Sequence, residues 1–143
     1  MLDSVSLVNT IFGKTRGSVL PFAYAIDVTA KRIFVDRIPE EELKLCDDVC
    51  AEVWKRLAGP LALDSVTRSV ERWGKRCWEK LSASGQIEKY IGKPINRVAS
   101  PRVVLIYLAT YMYFEKPYFQ VILEQPEMFM GWERVGLAPR QSL

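Results

Sequence analysis

The most constraining feature of this sequence is a twelve-residue run, residues 103–114, that is apolar apart from Thr110 and follows the pair Ser100-Pro101. A serine hydroxyl can accept hydrogen bonds from the free N–H groups of a helix start, and proline is favoured at the first helical position. The pattern therefore predicts a helix over residues 102–116. A helix that is apolar on every side must be buried on every side. We expect it to be the central helix of a bundle or to lie between subunits.

The same run is too short to cross a membrane, since a spanning helix needs about 20 apolar residues. A chain of 143 residues that is 49% hydrophobic can bury a core without disulfides or metals. The first residues carry Asp3 where an export signal would carry cations, so we expect no signal peptide. The sequence thus predicts a protein without a membrane span that remains inside the cell that makes it, or inside a particle assembled there.

Helix signals dominate the rest of the chain, and the predicted fold class is mainly all-α: a helical bundle, residues 38–143, with an N-terminal arm, residues 1–37. Capping residues and breaks predict a first helix from Asp3 to Phe12 and a helix that starts after the Asp64 cap and ends near Ser82. Pro39 and the three glutamates that follow predict another helix start. An apolar stripe would continue that helix: Leu43, Cys46, Cys50, Val53 and Leu57.

Residues 22–36 are ambiguous. Phe22, Tyr24, Ile26 and Val28 alternate as in a strand, and the pattern favours an extended segment or a short β-hairpin. The alternative is a helix. The helical face would consist of Phe22, Ile26, Ala30 and Ile33.

Charge is distributed unevenly along the chain. Residues 38–53 contain one cation and six acids, whereas residues 54–102 contain eleven cations and four acids. An acidic segment beside a basic one can attract other copies of the chain, or the basic segment can face a polyanion.

The stretch VERWGKRCWEKL, residues 70–81, contains two tryptophans and four cations. At 100° per residue, Trp73 lies on an apolar stripe with Cys77 and Leu81, and Trp78 lies at the border of that stripe. Five cations cover the opposite side and are called the cationic ridge below: Arg68, Arg72, Lys75, Arg76 and Lys80.

Two interpretations of the cationic ridge compete. An outer helix face is commonly charged and can be stabilised by pairs such as Glu71 with Lys75. Alternatively, the cations bind backbone phosphates without reading base sequence. Four further cations in the arm are candidates for the same role: Lys14, Arg16, Lys31 and Arg32.

The sequence predicts no catalytic, metal or cofactor site. Cys46 and Cys50 are spaced like metal ligands, but Cys77 is the only other thiol and there is no histidine. Buried free thiols are the first interpretation, and a disulfide from Cys77 to either of the others is the second. Nucleophile elbows, phosphate-binding glycine loops and zinc-protease motifs are absent. We therefore expect a protein that is not an enzyme and has no small-molecule substrate.

The chain has few asparagines and glutamines beside many charged residues, a composition typical of heat-adapted proteins. Chance in a short chain is the alternative. Together with the arm (residues 1–37), the cationic ridge and the apolar helix, this composition resembles the coat proteins of filamentous archaeal viruses. The resemblance is architectural. It implies a virion subunit, assembled in the host cytoplasm, whose copies wrap double-stranded DNA, with a second coat subunit as a further candidate partner. The phosphate-facing residues would be the cationic ridge and the four arm cations.

The rival interpretation is a cytoplasmic helical protein of a thermophile that binds other proteins through exposed apolar and acidic surfaces. The two differ in one property, since a coat subunit should bind DNA of any sequence with an affinity that falls steeply as salt rises.

Overall fold

The computed structural model describes residues 2–13, 15 and 17–130; most of these are helical and none of them forms a strand. The all-α prediction is therefore confirmed. No helix in this part of the chain is long and apolar enough to cross a membrane. The α-helices are α1 (Ser4–Phe12), α2 (Leu20–Ala30), α3 (Ala51–Leu57), α4 (Leu63–Ala83), α5 (Ile87–Ile91), α6 (Pro101–Phe114) and α7 (Tyr118–Glu124). Two shorter segments are π turns, Lys31–Val35 and Leu45–Cys50, and two are 3-10 turns, Glu40–Glu42 and Pro126–Phe129.

The apolar helix α6 is the centre of the bundle, as predicted. The Ser100 hydroxyl accepts a hydrogen bond from the Val103 N–H at 3.4 Å, and Pro101 opens the helix. Helices α1, α2, α4, α5 and α7 all contact α6. Its most exposed residue is Tyr113 near the end, at 47%, while Val103 and Tyr107 are partly buried. Glu115, in a left-handed conformation, ends the helix just before Pro117.

Residues 22–36 form helix α2 and the π turn that continues it, so the favoured extended or hairpin interpretation was wrong. The helical alternative is confirmed, since all four residues of its proposed face are buried: Phe22, Ile26, Ala30 and Ile33. The apparent alternation was misleading because the intervening Ala23 and Ala25 are buried as well. Alanine favours a helix, and Pro21 occupies a helix start.

The described part of residues 1–37 is not a separate arm beside the bundle. Helix α2 packs against α4 and α6, and α1 packs against α2 and α4. Leu7 and Phe22 belong to the same hydrophobic core as Val104 and Leu105 of α6. The Asp3 cap is confirmed, since its carboxylate accepts a hydrogen bond from the Ser6 N–H at 2.7 Å.

The acidic segment departs most from the prediction. Glu40–Glu42 is a single 3-10 turn, and Leu43 and Lys44 are extended before the π turn that leads into α3. Arg102 explains the interruption, because its guanidinium donates hydrogen bonds to the backbone carbonyls of Glu40 and Leu43. A continuous helix would use those carbonyls internally. Cys46 is consequently exposed and does not belong to the predicted apolar stripe.

Helix α4 begins slightly before its predicted start. Ala62 occupies the N-cap position, and Asp64 lies in the first turn, where its charge still favours the helix dipole. Near the middle of α4, buried Gly74 faces Pro101 at the start of α6. A Cβ atom on residue 74 would lie 2.9 Å from Pro101 Cβ and 3.1 Å from its Cα. The missing side chain therefore lets the two helices approach closely.

We expect Gly74→Ala to destabilise the protein, although alanine favours a helix by about 1 kcal/mol over glycine. Forcing the added methyl group against Pro101 costs about 1–3 kcal/mol, as overpacking does, and the neighbour in contact includes backbone. Urea denaturation monitored by circular dichroism measures the difference. Ser82→Ala, at an exposed position of the same helix, is the control and should change the unfolding free energy by less than about 0.5 kcal/mol. A Gly74→Ala protein that is more stable than wild type would contradict the close-packing explanation.

Candidate nucleic-acid interface

The cationic ridge lies on the solvent side of α4. Its five residues are exposed, while Val70, Trp73, Cys77 and Leu81 on the other side are buried in the core. Helical periodicity thus predicted the two faces correctly. Among the residues that the structure describes, no ridge cation forms an ion pair, and the Glu71 and Lys75 pair is not made. The ridge cations therefore make no close ion pair with carboxylates of the described residues, although Glu71 and Glu79 are exposed on the same helix.

Neither tryptophan of α4 is available for base stacking. Trp73 is 5% exposed and packs edge-on against Phe12, with ring centroids 5.2 Å apart. Trp78, at the border of the stripe, is 3% exposed and packs against Tyr107 of α6. Trp73 does contribute to the ridge indirectly, since the Arg76 guanidinium lies 5.1 Å from its ring centroid. This cation–π contact holds the Arg76 side chain in place.

The cations predicted in the arm differ from the ridge. Lys31 and Arg32 both pair with Asp36, at 3.2 and 3.0 Å. Arg32 also donates to the Asp48 carbonyl at 3.0 Å and lies 3.9 Å from the Glu52 carboxylate. These contacts join the end of α2 to the acidic segment, so both side chains already have a structural use. Lys14 and Arg16 lie outside the described residues.

A loop that sequence reasoning did not single out lies directly beside the ridge. Residues 92–100 connect α5 to α6, and the end of this loop shares a shallow apolar groove with Arg72 and Lys75. The loop carries two exposed cations of its own, Lys93 and Arg97. The only sequence signal for them was the excess of cations over acids in residues 54–102, because a loop has no periodicity that predicts a face.

A polar cluster joins Glu40 of the acidic segment to Tyr118 of α7. The Tyr118 hydroxyl lies 2.6 and 2.7 Å from the two oxygens of the Glu40 carboxylate and donates to it. Burial raises the pKa of Glu40, and the Tyr118 hydrogen bond and the charge of Arg102 only partly oppose that effect. Burial, together with the Glu40 hydrogen bond and charge, raises the pKa of Tyr118. The Glu40 side chain therefore ties the acidic turn to α7.

The cysteines show no metal or disulfide chemistry in the described part of the chain. All three are free; Cys50 and Cys77 are buried, as predicted, and Cys46 is exposed. Burial raises the pKa of the Cys50 thiol to about 11 and that of Cys77 to about 12. Such thiols are protonated at neutral pH and therefore poor nucleophiles and poor metal ligands. No group of three potential metal ligands occurs among the described residues.

Comparison with known proteins yields no match, either to a family model, to a curated protein or to a solved structure.

The raised pKa of Glu40 predicts a pH dependence of stability. Because the folded state holds this proton more tightly than the unfolded chain, the group stabilises the fold below its ordinary pKa of 4.5, and that contribution is lost as pH rises through the raised value. A glutamine side chain does not titrate in this range. We therefore expect the free energy of unfolding of Glu40→Gln, relative to that of wild type, to be higher at about pH 7 than at about pH 4. Urea denaturation at both pH values measures the change, with the exposed Glu79→Gln as the control. An equal effect of Glu40→Gln at both values would contradict the shift.

Proposed function

We propose that this protein binds double-stranded DNA through the cationic ridge, by contacts to backbone phosphates that do not depend on base sequence. One observation carries the proposal: five exposed cations share one helix face without ion pairs to the described residues. From Arg68 to Lys80 the ridge extends about 18 Å along the helix. Each DNA strand presents one phosphate per about 3.4 Å, so this length matches about five phosphates of one strand.

The side chains of the ridge are chemically suited to binding phosphate. Three of its members are arginines, whose planar guanidinium can bind phosphate through two parallel hydrogen bonds. The indole beneath Arg76 restricts that side chain, which reduces the entropy lost on binding. With both tryptophans buried, the exposed groups suit backbone contacts and leave base reading to other residues.

We propose further that the chain acts as a repeated subunit of a DNA-containing filament, as its resemblance to coat proteins of filamentous archaeal viruses implies. Copies of the same chain, with or without a second coat subunit, would be its protein partners, and the virion its location. Two strongly exposed apolar side chains support contacts between proteins: Leu123 at 82% and Val98 at 76%. The proposal assigns no catalytic role to the chain.

The same two apolar residues favour the rival function, a cytoplasmic helical protein that binds other proteins and no DNA. Sedimentation with and without DNA separates the two. DNA-dependent assembly into particles, visible as filaments by electron microscopy, is expected for a coat subunit. A monomer or dimer that stays unchanged on addition of DNA would favour the rival.

Charge reversal tests the ridge. Because two phosphate contacts should become repulsive, we expect Arg72→Glu with Arg76→Glu to weaken binding to a duplex. The slope of log affinity against log salt should become shallower by about two, at about 0.9 per lost contact. Fluorescence anisotropy of a labelled duplex at several salt concentrations gives both values.

The matched control is Lys44→Glu with Lys55→Glu, which makes the same change in net charge at exposed positions outside α4. Its affinity should fall much less than that of the ridge variant. If a folded ridge variant bound as tightly as wild type, or if both variants lost the same affinity, the ridge would not be the DNA-binding surface.

A further inference from the structure

An open cavity of about 670 Å³ lies on the side of the 92–100 loop that faces α6 and α7. Its volume is in the usual range for small-ligand sites, about 300–1,000 Å³. The loop provides one wall, and Val103, Tyr107 and Phe119 provide the other. This loop cavity adjoins the cationic ridge, because Val98, Ala99 and Ser100 line both the cavity and the groove beside Arg72 and Lys75.

The polar groups of the loop cavity favour an anion. Lys93, Arg97 and Asn96 line it, and no carboxylate does so in the described part of the chain. In addition, none of the backbone N–H groups of residues 95–99 donates a hydrogen bond to another described residue. Two cations at one cavity without a lining carboxylate are suited to binding a phosphate group.

The opposite wall is aromatic and held rigidly. The Tyr107 ring packs against three other rings, with centroid distances of 4.9 Å to Tyr118, 6.0 Å to Phe119 and 6.2 Å to Trp78. The Lys93 ammonium lies 4.0 Å from the centroid of the Phe119 ring, so the cationic and aromatic walls meet at this point. A fixed aromatic surface that still borders open space can stack on a planar ligand with little loss of side-chain entropy.

We propose that the loop cavity binds one nucleotide unit, with its phosphate at Lys93 and Arg97 and its base against Tyr107. A phosphate beside a planar ring matches the two walls, whereas inorganic phosphate would leave the aromatic wall unused. The unit can come from a free nucleotide or from an unpaired residue of a nucleic-acid strand. In the second case the inference rests on the proposed DNA binding by the ridge, which the loop cavity adjoins.

Binding of AMP measured by isothermal titration calorimetry tests the chemistry, with inorganic phosphate and adenosine as partial ligands. AMP should bind more tightly than either part. Tyr107→Leu, which removes the stacking ring, and Arg97→Gln, which removes a phosphate contact, should each weaken AMP binding about tenfold. Arg68→Gln, a ridge substitution outside the loop cavity, should leave AMP affinity within about twofold of wild type.

Two features keep this test decisive if Tyr107→Leu fails to fold. Arg97 is exposed, so its substitution does not disturb the core, and Tyr107→Phe retains the stacking ring and should bind AMP nearly as wild type does. The inference is overturned if AMP binds no more tightly than phosphate, or if folded Arg97→Gln binds AMP as wild type does.

The source of the nucleotide is decided with a single-stranded oligonucleotide and a duplex of equal length. If Tyr107→Leu weakens single-strand binding about tenfold but leaves duplex binding unchanged, the loop cavity takes an unpaired residue of a strand. If only AMP affinity falls, it takes free nucleotides. Loss of duplex binding in the ridge variant, with AMP affinity unchanged by Arg97→Gln, would overturn this inference and leave the proposed function standing. Tight AMP binding without any duplex binding would overturn the proposed function and leave this inference standing.

Discussion

The whole structure depends on the need to cover α6 on all sides. A helix with apolar residues around its full circumference cannot face water on any side, so other helices must surround it. The described chain meets this need with α1, α2, α4, α5 and α7, which all contact α6. Helices α1 and α2 belong to this cover, because without α2 the core residues of α6 that it contacts would be open to solvent.

Two specific contacts position the surrounding elements. Gly74 allows α4 to approach the first turn of α6, which brings the cationic ridge beside the 92–100 loop. Arg102, in that same first turn, binds the carbonyls of Glu40 and Leu43 and holds the acidic segment against the bundle. The basic and acidic segments of the sequence are thus both anchored at the start of α6. The cations of the chain differ in their partners. The arm cations Lys31 and Arg32 pair with acids, whereas the ridge cations form no ion pair with the described residues.

Helices with their own capping and periodic signals could be predicted from the sequence. Ser100 and Pro101 start α6, and the stripe of α4 separates Trp73 and Cys77 from the cations, because these signals act within one helix. Residues 22–36 could not be assigned reliably, since an apolar segment buried on both faces shows no clear period. The acidic segment was mispredicted because its helix is interrupted by Arg102, about sixty residues away in sequence.

The sequence by itself thus determined the all-α class, the central apolar helix and the cationic face of α4, since each depends on residues that are neighbours along one helix. Tertiary structure alone decided that Arg32 reaches the Asp48 carbonyl and the Glu52 carboxylate, and that Lys93 and Arg97 stand opposite Tyr107 and Phe119. The same holds for Glu40, whose carboxylate meets Tyr118 inside the protein. These outcomes depend on which elements come together in space, and short-range patterns in a sequence do not record that information.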